Sequence, residues 1–530
     1  MQKVIFLFLS VLMSLPLMAQ DFPVVRGDCM PEGEGDAVVS HGMKAPRRLR
    51  TPNTSWDASR TYHQLVILFT FKETNDTTPA PTLFQSANPR EEYDRMLNEP
   101  GYNQRNGAGC MADYFRVQSG GLFNMQFDVY GPYMVNYKAK PDLNATESTR
   151  NYGVTQMREA TQMFLTENPD IDFSQYDWNN DGNVNQVIYV YAGLGGNNGS
   201  TTYGHIWPNT SSFSTITTKD GKKISDYSAS AEIWPTRTPT SCGIGTICHE
   251  FTHSLGLPDI YPTADGLPFS MVDEWDLMDG GNFTNYGWCP PNYTPLEKML
   301  LGWLTPVELT GPTTVKDLKP VSEGGQVYII KNTDKEYYLL ENRQWRGWDV
   351  GVPGQGLVIY HVNYDASVWS TNKPNNTKGA PRFALVHADN MDYDAWGEFV
   401  DNNKLSTYAD APRLHNRFLS TSPYPYNSDP VVNALTDTSL PAATMYNANA
   451  ETGEFLLSKP ITNITMSSEG LISFDFMGGS DTTGIDDVNV NENDNENEKF
   501  YDLLGRRTSI QKGLLIIREK NGSVKKIIRK

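Results

Sequence analysis

The stretch His249-Glu250-Phe251-Thr252-His253-Ser254-Leu255-Gly256-Leu257-Pro258-Asp259 decides how the chain reads. On a helix, side chains four residues apart stand one turn above each other, so the imidazoles of His249 and His253 reach one metal ion. Glu250 points to the side where a water on that ion would lie. A glycine three residues after His253 lets the chain leave the helix in a left-handed turn and bend back toward the metal. Asp259 then offers a third, oxygen ligand, and Pro258 forbids further helix. Three protein ligands with a fourth position left for water is the arrangement of catalytic zinc. A buried helix whose histidines are merely hydrogen-bonded explains neither Gly256 nor Asp259. The expected chemistry is hydrolytic. Zinc lowers the pKa of its water and polarises a carbonyl, while Glu250 acts as general base and passes the proton to a leaving amine.

At these residues the chain resembles the metzincin group of zinc peptidases, whose motif ends in a third ligand above a methionine turn. Asp276-Leu277-Met278-Asp279-Gly280-Gly281 is a tight, glycine-ended turn at a suitable distance, and the resemblance assigns Met278 to that methionine. Taken by itself, Met278 reads as core. Metzincins more often use histidine as third ligand, so Glu274 and Asp276 stand behind Asp259 as alternatives. Some place a tyrosine two residues after the methionine to aid the oxyanion. Gly280 occupies that position here, with His205 and Tyr286 as weak substitutes.

Within the group the chain is similar to the immune inhibitor A-like secreted bacterial metallopeptidases. The words that carry this include Asp113-Tyr114-Phe115 with Ser119-Gly120-Gly121, Phe127-Asp128-Val129-Tyr130-Gly131-Pro132 and Trp275-Asp276-Leu277-Met278. Leu301-Gly302-Trp303, Leu340-Glu341-Asn342-Arg343 and Pro353-Gly354-Gln355-Gly356-Leu357 continue them. The resemblance implies secreted, zinc-dependent, often calcium-stabilised endopeptidases made as precursors, acting on protein or peptide substrates.

The chain has 530 residues and a net charge of −18, which makes nucleic acid an unsuitable partner. Lys3, the apolar run Val4 to Pro16 and Leu17-Met18-Ala19 read as a secretory signal, 1–19. The run is too short for a membrane span, and no later stretch is long enough. Export through the periplasm to the cell surface or medium is expected. Residues 20–58 are rich in Gly, Pro and charge and read as a pro-segment; the basic run Ala45 to Arg50 is either its cleavage site or a linker. Cys29 lies ahead of the catalytic domain, where its thiolate could occupy the open zinc position as a latency switch; the plain alternative is a free thiol. Cys110, Cys242, Cys248 and Cys289 leave two disulfides possible.

The catalytic domain is expected at 59–303, with an α+β, zincin/metzincin-like fold. Apolar runs at 62–69 and 186–192 read as buried strands, 122–129 as a strand, and 91–96, 112–118 and 150–166 as helices. His205-Ile206-Trp207-Pro208 reads as an edge strand on the cleft rim, where a substrate backbone could pair. Thr294-Pro295-Leu296-Glu297 is a capping box that opens a short helix. Asp177-Trp178-Asn179-Asn180-Asp181-Gly182-Asn183-Val184-Asn185 has the opening of an EF-hand-type calcium loop. Asp177, Asn179, Asp181 and Asn185 would ligate by side chain and Asn183 by its carbonyl. The closing glutamate is missing, since Ile188 stands there, and an Asn/Asp-rich turn is the alternative.

Beyond 304 the pattern changes to short strands, at 327–330, 337–340, 357–360 and 472–476, expected to form a β-sandwich domain over 304–479. Residues 480–498 are acidic and Asn-rich and read as a disordered linker. Residues 499–530, with Tyr501-Asp502-Leu503-Leu504-Gly505-Arg506-Arg507, resemble the C-terminal sorting domains of bacterial type IX secretion. These are small β-modules read by the bacterial secretion machinery. The competing function is a surface adhesin or glycan-binding protein with an inactive zincin body; the intact Glu250 argues against it.

Overall fold

A computed structural model describes residues 49–73, 83–138, 152–196, 206–234, 240–263, 270–377, 379–391 and 419–479, and the backbone of 499–501, 513–518 and 524–529. The described residues up to 479 form one compact unit and those from 499 a second. Cys29, His205 and the 480–498 segment lie outside the described residues.

The first sheet is built from β1 (Thr61–Glu73), β2 (Asn124–Lys138), β3 (Val187–Leu194), β4 (Asn209–Thr217), β5 (Lys223–Trp234) and β6 (Thr240–Ser241). Its order is β2-β1-β3-β5-β4, with β6 paired to β5. β1 runs parallel to β2 and β3, and β3 to β5, whereas the outer β4 is antiparallel. The central strands are apolar on both faces because both are covered. Leu65, Ile67 and Phe69 pack with Met157, Ala160 and Phe164 of α3 (Val154–Glu167). The alternate residues Val66 and Leu68 face α1 (Pro89–Asn98), α2 (Met111–Gln118) and α4 (Gly245–Leu255). Period-two alternation thus sends successive side chains of one strand into different cores.

The expected edge strand at 205–208 is displaced. Trp207 and Pro208 are not in a strand, and the edge is β4, starting at Asn209. Proline has no N–H to donate to a ladder, so pairing begins after it. β5 was not expected at all; its Ser228-Ala229-Ser230-Ala231 centre lacks the bulk by which buried strands announce themselves.

After the short α5 (Pro295–Leu300), β7 (Val307–Glu308), β8 (Thr313–Leu318), β9 (Tyr328–Lys331), β10 (Glu336–Arg343) and β11 (Gly356–Asn363) follow. Then come α6 (Ala366–Trp369), β12 (Phe383–Leu385), β13 (Ile461–Met466) and β14 (Ile472–Phe476). They make a five-stranded sheet, β12-β11-β10-β9-β7, and a three-stranded one, β13-β14-β8. Tyr338, Leu340, Leu357 and Ile359 pack against Val315, Ile461, Ile472 and Phe474 of the smaller sheet. On the other face Tyr337, Leu339, Val358 and Tyr360 join the core that contains α2 and α4. The five-stranded sheet is therefore buried on both faces, and residues on either side of 304 share one hydrophobic core.

Residues 49–58 are also part of this unit. Trp56 packs against Tyr62, Phe123 and Trp303, and its indole N–H donates to the Leu301 carbonyl at 2.6 Å. In the second unit β15 (Lys499–Tyr501), β16 (Gly513–Arg518) and β17 (Val524–Arg529) form an antiparallel three-stranded sheet. Among the described residues, no helix is long and apolar enough to cross a membrane.

Candidate metal centre

α4 ends at Leu255, and Gly256 follows at φ +105°, a left-handed conformation that suits glycine. Space imposes the same choice, because a Cβ there would meet the Arg50 carbonyl oxygen at 2.6 Å. The chain turns back and brings Asp259 under the helix. Asp259 Oδ1 lies 3.2 Å from His249 Nε2 and 3.1 Å from His253 Nε2. All three side chains are buried, and they form the group of His, Cys, Asp or Glu close enough to share an ion among the described residues.

The tautomers are set by the backbone. His249 Nδ1 donates to the Leu277 carbonyl and His253 Nδ1 to the Leu257 carbonyl, both at 2.8 Å. Each Nε2 lone pair is thereby turned inward, the usual outer support of a metal-binding imidazole. His253 Nε2 and Asp259 Oδ1 have no hydrogen-bond partner although both are buried. A buried imidazole nitrogen and a carboxylate oxygen facing each other need a shared cation between them, either a proton or a metal ion. The donor set, two imidazoles and one carboxylate, fits zinc. Burial works against a charge on His253, but the Asp259 carboxylate outweighs it and lifts the imidazole to about 9. Burial likewise opposes ionisation of Asp259, yet the two histidines hold it well below the usual carboxylate range.

Glu250 is buried on the same helix. Desolvation raises its pKa above the ordinary glutamate value, partly offset by the two histidines. Thr210, on the edge strand β4, places Oγ1 2.9 Å from Glu250 Oε2 and 2.6 Å from the Glu250 carbonyl oxygen. Sequence reasoning missed Thr210, since nothing local marks a threonine on a polar edge strand.

Met278 is fully buried in the turn beneath the histidines. Its carbonyl accepts from Ile260 N–H at 2.8 Å, one residue past Asp259, so the turn is tied both to α4 and to the third-ligand loop. The alternative ligands are engaged elsewhere. Asp276 Oδ1 accepts from Met278 N–H at 2.6 Å, and its carboxyl lies against Glu297, with Arg343 nearby. Glu274 is buried in the turn Asp273–Trp275, outside the three-residue group. Tyr286, at φ +56°, packs against Phe283.

The Asp177–Asn185 loop closes on itself. Asp177 accepts from Asp181 N–H at 3.0 Å and Gly182 N–H at 2.9 Å, Asn185 Oδ1 from Trp178 N–H at 2.6 Å, and Asp181 Oδ1 from Asn183 N–H at 2.8 Å. The Lys222 ammonium sits 2.7 Å from Asp177 Oδ2, so the loop already holds a cation of its own. These bonds are of the kind that an Asn/Asp-rich turn makes. The four catalytic-region cysteines are free thiols, so the two possible disulfides are not formed. Burial pushes the Cys110 and Cys289 thiols up to about 12, which leaves them unreactive.

The fold and the centre define a mixed α+β region with two histidines and one carboxylate placed as a candidate metal site. Residues 52–295 match the family model described as immune inhibitor A peptidase M6, catalytic domain. Immune inhibitor A of Bacillus thuringiensis subsp. alesti is 25% identical over 367 residues, 61% of this chain and 51% of its own length. Pre-pro-metalloprotease PrtV of Vibrio cholerae serotype O1 (strain M66-2) is 24% identical over 282 residues, 46% of this chain and 29% of its own. The chain spans about half, or less, of the length of these curated relatives. Residues 52–295 are therefore similar to a peptidase domain of the M6 type, and His249, His253 and Asp259 are the candidate metal ligands within them.

Proposed function

We propose that the protein is a secreted zinc endopeptidase. The observation that carries this is the convergence of the buried His249 Nε2, His253 Nε2 and Asp259 Oδ1 on one point, beside a buried Glu250. Zinc, when bound by His249, His253 and Asp259, supplies a Lewis acid that polarises water and a substrate carbonyl. Glu250 takes the proton from the attacking water and delivers it to the leaving amine. Thr210 holds the carboxylate toward β4, whose outer edge is where an extended substrate would add as a further strand. Met278 closes the floor of the centre.

The remaining assignments follow the sequence. Residues 1–19 are the export signal, 20–58 the pro-segment, and 499–530 address the chain to a secretion system. The test is hydrolysis of casein by the purified protein with and without a chelator, and with zinc returned. Activity that survives complete metal removal would overturn the proposal, as would a metal-replete protein inert on every protein and peptide offered.

A further inference from the structure

We propose that Asn372, from the chain beyond residue 304, is a positioning residue for the third metal ligand, which makes the C-terminal β region part of the metal centre. The inference deepens the zinc-site reading and rests on it.

Asp259 stands on a loop rather than on α4, so nothing in the helix fixes its carboxylate. Asn372 does. Its Nδ2 donates to Asp259 Oδ2 at 2.6 Å, and its Oδ1 accepts from the Asp259 N–H at 2.6 Å. Two bonds in opposite directions between the same two residues lock both the main chain and the side chain. With Oδ2 held, Oδ1 is the oxygen left to face His249 Nε2 and His253 Nε2. Asn372 is 1% exposed, so water does not replace it.

The clamp extends along the loop that follows α6. Asn372 has φ +59°, a left-handed conformation that asparagine tolerates, and its own carbonyl accepts from Thr263 Oγ1 at 3.0 Å. Asn375 Nδ2 donates to the Ile260 carbonyl and to the Phe383 carbonyl of β12, each at 2.8 Å. Asn376 Oδ1 accepts from Thr263 N–H at 2.8 Å. Three asparagines thus grip residues 259–263 at three points and anchor them to the five-stranded sheet. An outer partner that orients a ligand carboxylate typically changes metal affinity by roughly ten- to a hundredfold.

The test uses the full-length chain. Zinc affinity is measured by chelator competition, and ligand geometry by the visible absorption of the cobalt-loaded protein, for the wild type, Asn372→Ala, Asn372→Ser and Asn342→Ala. Asn342 is the control: it is buried in β10 and donates to the Leu318 and Gly470 carbonyls, away from 259–263. The expected result is zinc binding weakened by roughly tenfold or more in both Asn372 variants, with an altered cobalt spectrum, and unchanged in Asn342→Ala. Wild-type affinity and spectrum in the Asn372 variants would overturn the clamp. So would equal losses in Asn342→Ala, or failure of both Asn372 variants to fold while Asn342→Ala folds. A wild type that takes up no zinc refutes the metal site itself, a result distinct from these.

Discussion

Arg343 Nη2 donates to the main-chain carbonyl of Trp275 at 3.1 Å, joining a strand of the C-terminal region to the Asp273–Trp275 turn. The guanidinium also donates to the Asn292 carbonyl at 3.0 Å, to Glu341 at 2.7 Å and to Asp349. None of the guanidinium is exposed. Replacing Arg343 by Met leaves two buried carboxylates uncompensated, a loss of about 3–5 kcal/mol. Denaturant unfolding should show it, and Arg343→Lys should recover little, because an ammonium lacks the planar fork. Wild-type stability in Arg343→Met would remove this account of the core.

Glu250→Gln keeps shape and removes the base. Proteolysis should fall by at least about a hundredfold, while zinc content and unfolding midpoint stay near wild type. Retained hydrolysis in a zinc-loaded variant would take Glu250 out of the reaction.

Thr210→Val removes the hydroxyl that orients Glu250 but keeps a branched side chain on β4. One hydrogen bond to a charged group is worth about 1.5–3 kcal/mol, so kcat should drop by roughly tenfold or more. The zinc titration should be unchanged. A lower zinc affinity with normal kcat would place Thr210 in metal retention instead.

Removal of zinc should lower the melting temperature, since the ion binds the folded ligand set and not the unfolded chain. At free zinc a hundredfold above its dissociation constant the difference is about 2.7 kcal/mol. Calorimetry before and after dialysis against chelator reads it directly. Coincident transitions would mean that no structural ion is held.

A pH effect is expected away from the centre, at Glu336. Burial would raise its carboxyl, but His361, Tyr446 N–H and Asn447 outweigh this and bring it down to about 2 from its usual 4.5. A depressed carboxylate pKa adds stability that is complete above the unfolded value and lost as pH falls through the folded one. Glu336 therefore contributes fully above about pH 5, with the loss complete only below about pH 2. Glu336→Gln should be less stable at neutral pH and flatter over that interval in urea titrations. An unchanged acid slope would contradict the role given to this carboxylate.

Much of the centre was legible because its signals are local. His249, Glu250 and His253 follow from helix period, and Gly256 from the left-handed exit it permits. β1, β3, β10 and β11 announced themselves as apolar runs, and the Thr294–Glu297 capping box by spacing alone. Other features left no such trace. β5 is a strand of small residues whose burial depends on neighbours distant in sequence. The acidic 177–185 loop has calcium-like composition, and its spacing gave no sign that Lys222, 45 residues beyond Asp177, pairs with that carboxylate.

Residue chemistry and spacing along the chain were thus enough to nominate a metal and a base, since a helix places i and i+4 together without outside help. The folded molecule alone decided which carboxylate oxygen meets the histidines. That choice rests on Asn372, 113 residues beyond Asp259. The base and the floor likewise depend on contacts from Thr210 and Arg343. Such contacts have no period and no motif; they exist because burying two faces of one sheet brings remote side chains to a common point.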